Sequence, residues 1–350
     1  MKISIELLDS YSDCIYRKSS CFGRSFFVSC NQIRSSVVLL APSNTLNMKK
    51  IAITLLAALF SLAAFAKDST FHFTTSDNVK LFVRTAGKGK PCVFVHGGPG
   101  STAYYFEQME AAPLIEQHLT MIYFDQRGAG RSGSAANGDY SLARMLKDIE
   151  ELRAHLGYKQ WSVMGHSFAG ILITNYAYRF PTAVTALMMV NGTLNMPASM
   201  SSHLEFGLKV LEIKDQKEYR DTTKPLIQRV GMVHNGLTEK NLWYKLMFRN
   251  AFEKKYSDSI TLSLPNFNWE FGNKVWGYKE YETDFAPISV SVKCPVLVIT
   301  GDKDYAIGTE HYKSFRFPRQ KVVHYIGGHA PFQEEPQWFA EKIIDFTSTL

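Results

Sequence analysis

The 350-residue chain is poor in cysteine, and its few cysteines are unevenly placed. Three of the five lie within residues 1–47, which leaves Cys92 and Cys294 in the rest of the chain. Each of these two opens an apolar run, where a buried free thiol is the usual state, so we expect free thiols rather than a disulfide between them. No Cys and His residues share the spacing of a zinc site, and we expect neither a metal nor an organic cofactor.

The sequence also lacks a strong charge of one sign. The formal net charge is +7, but the residues after position 66 carry 32 basic and 29 acidic side chains. The net charge of these residues is therefore small, and the sequence has no basic stripe with interleaved aromatic residues. Both observations argue against a nucleic-acid partner. No Pro/Gly/Ser-rich linker, low-complexity run or internal repeat divides the chain.

The only pronounced apolar run, Met48–Ala66, is short for a bilayer span, which needs about 20 apolar residues. Two lysines, an apolar stretch and Ala64-Phe65-Ala66 follow one another in the order of a cleaved signal peptide. A buried helix or an uncleaved anchor is the alternative interpretation. We interpret residues 1–47 as a non-native extension and Met48 as the true start. The mature protein would begin near residue 67, be periplasmic or secreted, and have no stable membrane insertion.

Beyond residue 67, short apolar runs alternate with longer helical patterns, which predicts a mostly parallel sheet flanked by helices. The predicted strands are Phe71–Thr75, Lys80–Thr85, Cys92–Val95, Thr120–Phe124, Trp161–Met164, Ala186–Val190, Pro295–Thr300 and Lys321–Ile326. The predicted helices are Ser141–Leu156, Phe168–Tyr178 and Gln337–Phe346. Residues 195–287 lack a buried-strand run and have helical periodicity in parts. We therefore predict a core of residues 67–194 and 288–350, with a helical cap at 195–287.

Ser167 is the candidate nucleophile. The segment Gly165-His166-Ser167-Phe168-Ala169-Gly170 joins a predicted strand to a predicted helix. On so sharp a turn, small neighbours let the backbone approach closely, and the helix N-terminus favours negative charge on a reacting oxygen. A plain helix-capping serine is the alternative. His96-Gly97-Gly98-Pro99-Gly100 follows another strand, and we expect the Gly98 and Phe168 N–H groups to form an oxyanion hole.

A nucleophilic serine needs a base, and the base needs an orienting acid. His329 follows Gly327-Gly328 directly after the last predicted strand, where a loop would carry it to the catalytic edge of the sheet. His324 lies within that strand, and His166 is expected to point away from the nucleophile. For the acid, Asp302 and Asp304 both follow a strand, and the residues alone do not choose between them.

Taken together, HGGPGS, FDQRGAGRS, MGHSFAG, ITGDKD and GGHAPFQEEP resemble the α/β-hydrolase superfamily. The first two resemble the proline iminopeptidase family of serine aminopeptidases. The resemblance implies an α/β-hydrolase fold, with Asp304 as the acid and Gly98 and Phe168 as the oxyanion donors. It also implies that Asp125 and Arg127 brace the loop beside the site. The chain departs from the family around the nucleophile, where the family carries Gly-Gly-Ser-Trp-Gly.

The resemblance further implies that glutamates of the insertion hold the free amino group of a substrate. The candidates are Glu205, Glu253, Glu270, Glu280 and Glu282, although charges on a helical insertion are usually only solvated. Four aromatic residues could line an apolar acyl pocket or form the core of the insertion: Trp243, Tyr244, Trp269 and Trp276. Of these, we predict that Glu270, Glu280, Glu282, Trp269 and Trp276 bind the substrate.

The expected function is that of a serine aminopeptidase or amidase that releases small N-terminal residues, proline among them, from a small-molecule or short-peptide substrate. A carboxylesterase acting on small esters is the alternative, because both reactions pass through the same kind of tetrahedral intermediate. A non-catalytic binding protein on a hydrolase scaffold is a more remote alternative. Dehalogenase and epoxide-hydrolase chemistry is disfavoured, because those relatives carry an aspartate where Ser167 stands.

Overall fold

The computed structural model describes residues 68–350. The predicted extension at 1–47 and the predicted signal peptide at 48–66 lie outside the described residues. Eight strands form one sheet: β1 (Ser69–Thr74), β2 (Lys80–Gly87), β3 (Lys90–Val95), β4 (Leu119–Phe124), β5 (Trp161–His166), β6 (Val184–Val190), β7 (Val296–Gly301) and β8 (Gln320–Tyr325). Their order is β1-β2-β4-β3-β5-β6-β7-β8. This is the predicted α/β-hydrolase fold.

The sheet is antiparallel at one edge and parallel elsewhere. β2 pairs antiparallel with β1 and β4, whereas the pairs from β4 through β3, β5, β6 and β7 to β8 are parallel. In a parallel sheet the carboxyl ends of the strands share one edge, so the loops that follow β3, β5, β7 and β8 meet there. All the predicted catalytic residues lie in or next to these loops.

The central strands of the sheet are buried on both faces, as their continuous apolar sequences require. Every residue of β4, β5 and β7 is buried. Successive side chains of a strand point to opposite faces. Accordingly, Val163 and Leu187 belong to the apolar cluster on one face, and their neighbours Met164 and Met188 belong to the cluster on the other. Cys92 is a buried free thiol whose pKa is raised to about 12 by burial, and Cys294 is also free.

The described α-helices are α1 (Tyr104–Glu107), α2 (Ala111–Glu116), α3 (Leu142–His155), α4 (Ala169–Arg179), α5 (Met196–Val210), α6 (Lys217–Arg220), α7 (Leu226–Glu239), α8 (Ala251–Leu262), α9 (Glu270–Lys274), α10 (Pro331–Glu334) and α11 (Pro336–Ser348). Helix α3 follows its sequence closely. Ser141 caps it by accepting the Arg144 N–H, and Gly157, at a φ of +74°, lies just beyond its end.

Helices α5 to α9 lie between β6 and β7, together with short 3-10 turns. Within this insertion, α5 and α7 pack through an apolar cluster that includes Leu204, Leu208, Val230 and Val233. Among residues 68–350, the helices are all too short or too polar to cross a bilayer.

Candidate active site

Ser167 lies on a strained turn between β5 and α4. Its φ is +60°, in the left-handed region that costs a non-glycine residue about 1–2 kcal/mol. The Ser167 N–H donates to the Val190 carbonyl, and the Ser167 carbonyl accepts the Gly170 N–H, so the turn is held from both sides. Strain of this kind persists only where the surroundings enforce it, and it often marks a functional residue.

The small residues around Ser167 are required by close backbone contacts. A Cβ added at Gly97 would lie 2.7 Å from the Ser167 Cβ, and one added at Gly170 would lie 2.5 Å from the Thr193 carbonyl oxygen. Real Cβ atoms essentially never approach other atoms this closely. Ala169, the residue that departs from the usual glycine, is fully buried without disrupting the turn.

Two backbone N–H groups beside Ser167 have no acceptor within residues 68–350. Among the hydrogen bonds within residues 68–350, neither the Gly98 N–H nor the Phe168 N–H donates to another residue. Phe168 stands directly before α4, so its N–H belongs to the unpaired positive end of that helix. Gly98 is exposed, and its φ of +125° is one that glycine adopts without strain. The two residues predicted as oxyanion donors therefore both carry an available N–H.

His329 and Asp304 form a buried pair. The His329 Nδ1 lies 2.9 Å from the Asp304 Oδ2, and both side chains are almost inaccessible to solvent. The other carboxylate oxygen of Asp304 accepts the N–H groups of Ala306 and Ile307. Asp302, in contrast, is exposed. The structure thus brings Asp304 rather than Asp302 against His329.

One face of the cap helix α5 holds the loop that carries Asp304. The Ser202 hydroxyl donates to the Tyr305 carbonyl, His203 Nε2 donates to the Ala306 carbonyl, and the Ser199 hydroxyl donates to the Ile307 carbonyl. Three consecutive carbonyls of this loop, called the acid loop below, are therefore anchored to the cap. The pKa of His203 is lowered to about 4, first by burial and then by the charge of His234.

The loop that carries His329 is held by side chains that sequence reasoning did not select. Asn191 donates from Nδ2 to the carbonyls of Gly328 and His329, and its Oδ1 accepts the Gly301 N–H. The buried Glu334 accepts the Gly328 N–H at 2.9 Å. Glu334 lies within the GGHAPFQEEP motif, so the sequence shows that it is near His329, but its hydrogen-bond partners could not be predicted.

The cap also contacts the loop after β8 that carries His329, called the base loop below. The His329 N–H donates to the Met247 carbonyl at 2.6 Å, and the Arg249 N–H donates to Glu334 Oε1 at 3.0 Å. The backbone of His329 is therefore fixed by the sheet on one side and by the cap on the other.

Asp125 and Arg127 brace the loops beside the site. Asp125 is fully buried and accepts the Ala103 N–H at 2.7 Å and the Arg131 Nε–H at 2.7 Å. Burial alone would raise the pKa of Asp125, but the Arg131 guanidinium and N–H bonds outweigh it and lower the pKa. Arg127, also fully buried, donates to Asp148 and Asp77. These contacts join the loop after β4 to α3 and to the β1–β2 turn.

Ser167 and His329 line one cavity of about 160 Å³. Other lining residues are Gly98, Ser101, Tyr105, His166, Met247, Phe248, Ser257, Thr261, Ala330, Phe332 and Gln333. The cavity therefore combines apolar walls with hydroxyl and amide groups, and its lining includes no Asp, Glu, Lys or Arg from residues 68–350. A cavity of this size and polarity suits a small, uncharged acyl group.

The five residues predicted to bind substrate lie outside this cavity. Glu270 pairs with Lys274, Glu280 accepts the Leu142 N–H, and the exposed Glu282 pairs with Lys279. Trp269 is half exposed and stacks on Phe267 at 4.0 Å. Trp276 and Glu282 line a different cavity, of about 310 Å³, within the cap.

Among the other candidate glutamates and aromatics, Glu253 has a side chain that is hydrogen-bonded to a residue lining the cavity. Its Oε2 accepts from Gln333 Nε2 at 2.7 Å, and Gln333 lines the cavity. Glu205 instead forms an exposed ion pair with Arg220. Trp243 and Tyr244 line a surface pocket elsewhere on the cap. The part of the chain that the structure describes holds no cluster of three or more His, Cys, Asp or Glu residues placed to bind a metal.

Comparison with known proteins agrees with this fold. Residues 90–336 match the sequence model of the alpha/beta hydrolase fold family. The "Putative carbamate hydrolase RutD" of Escherichia coli O103:H2 is 22% identical over 263 residues, which cover 74% of this chain and 91% of that protein. The "Probable proline iminopeptidase" of Streptomyces coelicolor is 36% identical over 126 residues, which cover 32% of this chain and 36% of that protein.

Among solved structures, a proline iminopeptidase-related protein from Thermus thermophilus superposes with a TM-score of 0.65 and 19% identity. The match covers 80% of this chain and 96% of that one. At this identity the likeness speaks for the fold alone, whereas the family match spans most of the chain. The protein therefore belongs to the α/β-hydrolase fold family and, within it, resembles the proline iminopeptidases.

Proposed function

We propose that the protein is a serine hydrolase that works through an acyl-enzyme, with Ser167, His329 and Asp304 as its catalytic triad. The observation that carries the proposal is the strained Ser167, which shares a cavity with a histidine bound to a buried aspartate. A plain helix-capping serine would not require this arrangement.

In this mechanism the Ser167 hydroxyl attacks the acyl carbon of the substrate, and His329 Nε2 accepts its proton. Asp304 accepts the Nδ1–H of His329, which fixes the tautomer and stabilises the imidazolium that forms. The Gly98 and Phe168 N–H groups bind the oxyanion of the tetrahedral intermediate. His329 then protonates the leaving group, and water releases the acyl group from Ser167 by the same steps.

For the substrate, we propose an amide or short peptide with a free N-terminal amine, so that the protein acts as an aminopeptidase. The resemblance to proline iminopeptidases supports this choice. The carboxylate best placed to hold the ammonium is that of Glu253, on α8, next to the cavity-lining Gln333. Its side chain is largely shielded from solvent, which would strengthen a charged hydrogen bond, and its Oε1 lies 3.6 Å from the Arg249 guanidinium.

The second candidate is a carboxylesterase acting on small neutral esters. One observation favours it: the described part of the chain contributes no carboxylate or ammonium side chain to the cavity lining. A neutral acyl group would fill this space without leaving a charge unpaired.

Purified protein assayed on proline and alanine arylamides, their N-acetylated forms and a short acyl ester separates these candidates. For an aminopeptidase we expect cleavage to require the free amine. Glu253→Gln should then raise KM for the free-amine substrates by about 10- to 100-fold, because a hydrogen bond to a charged group is worth about 1.5–3 kcal/mol. Ester turnover should be unchanged.

The matched control is Glu205→Gln, which removes a cap carboxylate that is exposed and paired with Arg220. This variant should keep the wild-type kcat and KM on every substrate. Ester hydrolysis that is indifferent to the amine and to Glu253 would instead establish the carboxylesterase.

We further propose that the enzyme acts in the periplasm or outside the cell. The support is the order of charged, apolar and small residues in Met48–Ala66.

A further inference from the structure

His166, the residue before the nucleophile, is a buried histidine that the proposed mechanism does not use. It stands where proline iminopeptidases carry glycine, so it is a departure of this chain from that pattern. Both of its ring nitrogens are engaged. Nδ1 lies 2.8 Å from the Tyr105 hydroxyl, and Nε2 lies 2.9 Å from the His329 carbonyl oxygen.

The chemistry of these groups fixes the direction of each hydrogen bond. A carbonyl oxygen only accepts, so His166 must donate from Nε2. In a neutral imidazole Nδ1 then accepts, and the Tyr105 hydroxyl must donate to it. The Tyr105 oxygen in turn accepts the Gly97 N–H at 3.2 Å. The result is one continuous chain of donors and acceptors from Gly97 through Tyr105 and His166 to His329.

The neutral state of His166 is enforced by its surroundings. Burial lowers its pKa well below the ordinary value, and the charge of a protonated His329 would lower it further. The two rings are 4.5 Å apart, and Phe332 packs edge-on against His166 at 5.0 Å. His166 therefore remains a neutral donor and acceptor when His329 takes up a proton.

This chain of hydrogen bonds joins three loops that come from different strands. Gly97 precedes the oxyanion donor Gly98 in the loop after β3. His166 precedes the nucleophile Ser167 at the end of β5, and His329 lies in the loop after β8. The partners are 61 and 163 residues apart from His166 in sequence. Each loop contributes a different part of the proposed machinery.

We propose that Tyr105 and His166 are positioning residues, which hold the oxyanion loop, the nucleophile turn and the base loop in register through the Gly97–Tyr105–His166–His329 hydrogen bonds. The proposal rests on the proposed serine-hydrolase function. Misplacing reacting groups by about 1 Å lowers rates by up to about 100-fold. Loss of the chain of hydrogen bonds should therefore lower kcat rather than raise KM.

Four variants of the full-length protein test this proposal. Tyr105→Phe removes only the hydroxyl, and His166→Leu removes both nitrogens, whereas His166→Gln keeps one donor and one acceptor. Tyr176→Phe is the control, because it removes another buried hydroxyl, which donates to Glu150 on α3. For each variant, kcat, KM and the thermal unfolding temperature are measured on the best substrate found.

We expect Tyr105→Phe and His166→Leu to lower kcat about 10- to 100-fold, with KM within about twofold of the wild type. His166→Gln should be at least about fivefold more active than His166→Leu, and Tyr176→Phe should retain wild-type kcat. The double variant Tyr105→Phe/His166→Leu should lose little more than either single one, because both break the same chain of bonds.

Unchanged kcat in Tyr105→Phe and His166→Leu would overturn the proposal, as would a rise in KM alone, which would make Tyr105 a substrate-binding residue. A kcat loss that His166→Gln fails to relieve would also overturn it. Ser167→Ala, assayed in parallel, separates this from failure of the triad: if that variant keeps wild-type turnover, the proposed function itself is wrong.

Discussion

Replacing His203 with glutamine should flatten the acid side of the pH–stability profile. His203 is buried and neutral, and its pKa in the folded protein is about 4, against an ordinary value of 6.5. As the pH falls from 6.5 toward 4, the unfolded chain binds a proton at this position more readily than the folded protein does. The free energy of unfolding therefore falls with falling pH across this window and is unaffected above it.

The size of the effect follows from the pKa difference. Each pH unit within the window costs up to about 1.4 kcal/mol, so His203 removes about 3 kcal/mol by pH 4. That is a large share of the 5–15 kcal/mol that typically stabilises a folded domain, as an order of magnitude. His311, whose pKa is also lowered to about 4, keeps its own contribution in the variant. The profile should consequently be flattened, not levelled.

Urea unfolding followed by tryptophan fluorescence, between about pH 4.5 and pH 7, measures this slope. Glutamine at position 203 can still donate to the Ala306 carbonyl, so the acid loop keeps its anchor to α5. The slope of unfolding free energy against pH should fall by up to about 1.4 kcal/mol per pH unit in the variant. The control is His118→Gln, at an exposed position, which should reproduce the wild-type slope. An equal slope in wild type and His203→Gln would refute the reasoning.

Three further outcomes are expected. Gly97→Ala should lower kcat/KM by about 100-fold or more, because the added Cβ would lie 2.7 Å from the Ser167 Cβ. Gly277→Ala is the control and should have no effect, because the space around Gly277 is open. Equal activity of the two variants would show that the close approach of Gly97 to Ser167 does not matter for catalysis. Asp304→Asn should lower kcat by about 1,000- to 10,000-fold at neutral pH through loss of the correct His329 tautomer, and a loss below about tenfold would refute that role. N-terminal sequencing of the native protein should begin near residue 67; residues from 1–47 would contradict the predicted start and signal.

The fold could be predicted from the sequence because its strands are continuous apolar runs. The run predicted at Thr120–Phe124 is β4 less one residue, and the run at Trp161–Met164 is β5 without its last two residues. The missing residues, Gly165 and His166, belong to the nucleophile motif, whose glycine and histidine do not extend an apolar pattern. Helices α1 and α2 were not predicted, since each is too short to show a period.

In the candidate site, too, local sequence patterns could be read directly, whereas contacts made only in the folded chain could not. Ser167, Gly98 and His329 could be selected because each follows a predicted strand in a motif with turn-forming neighbours. The choice between Asp302 and Asp304 depends on which carboxylate faces inward. That is decided by the Ala306 and Ile307 N–H groups within the folded turn.

The partners of the candidate substrate-binding residues could not be predicted, because they depend on how the cap packs on the core. Glu253 and Glu270 look alike in sequence, as charges within a helical insertion. Only the fold places Glu253 against Gln333, 80 residues away, and turns Glu270 toward its own helix neighbour Lys274. For His166 the sequence predicted only that it points away from the nucleophile. Its partners Tyr105 and His329 could not be predicted, because they are 61 and 163 residues away in sequence.

The most direct test of the account is labelling with a fluorophosphonate, which reacts with an activated serine. Intact-mass and peptide analysis of the wild type should show a single adduct on Ser167, formed together with complete loss of hydrolase activity. Ser167→Ala should show neither the adduct nor turnover, while its thermal unfolding temperature stays close to that of the wild type. Turnover that survives in a folded Ser167→Ala variant, or an adduct on another serine, would contradict the central claim.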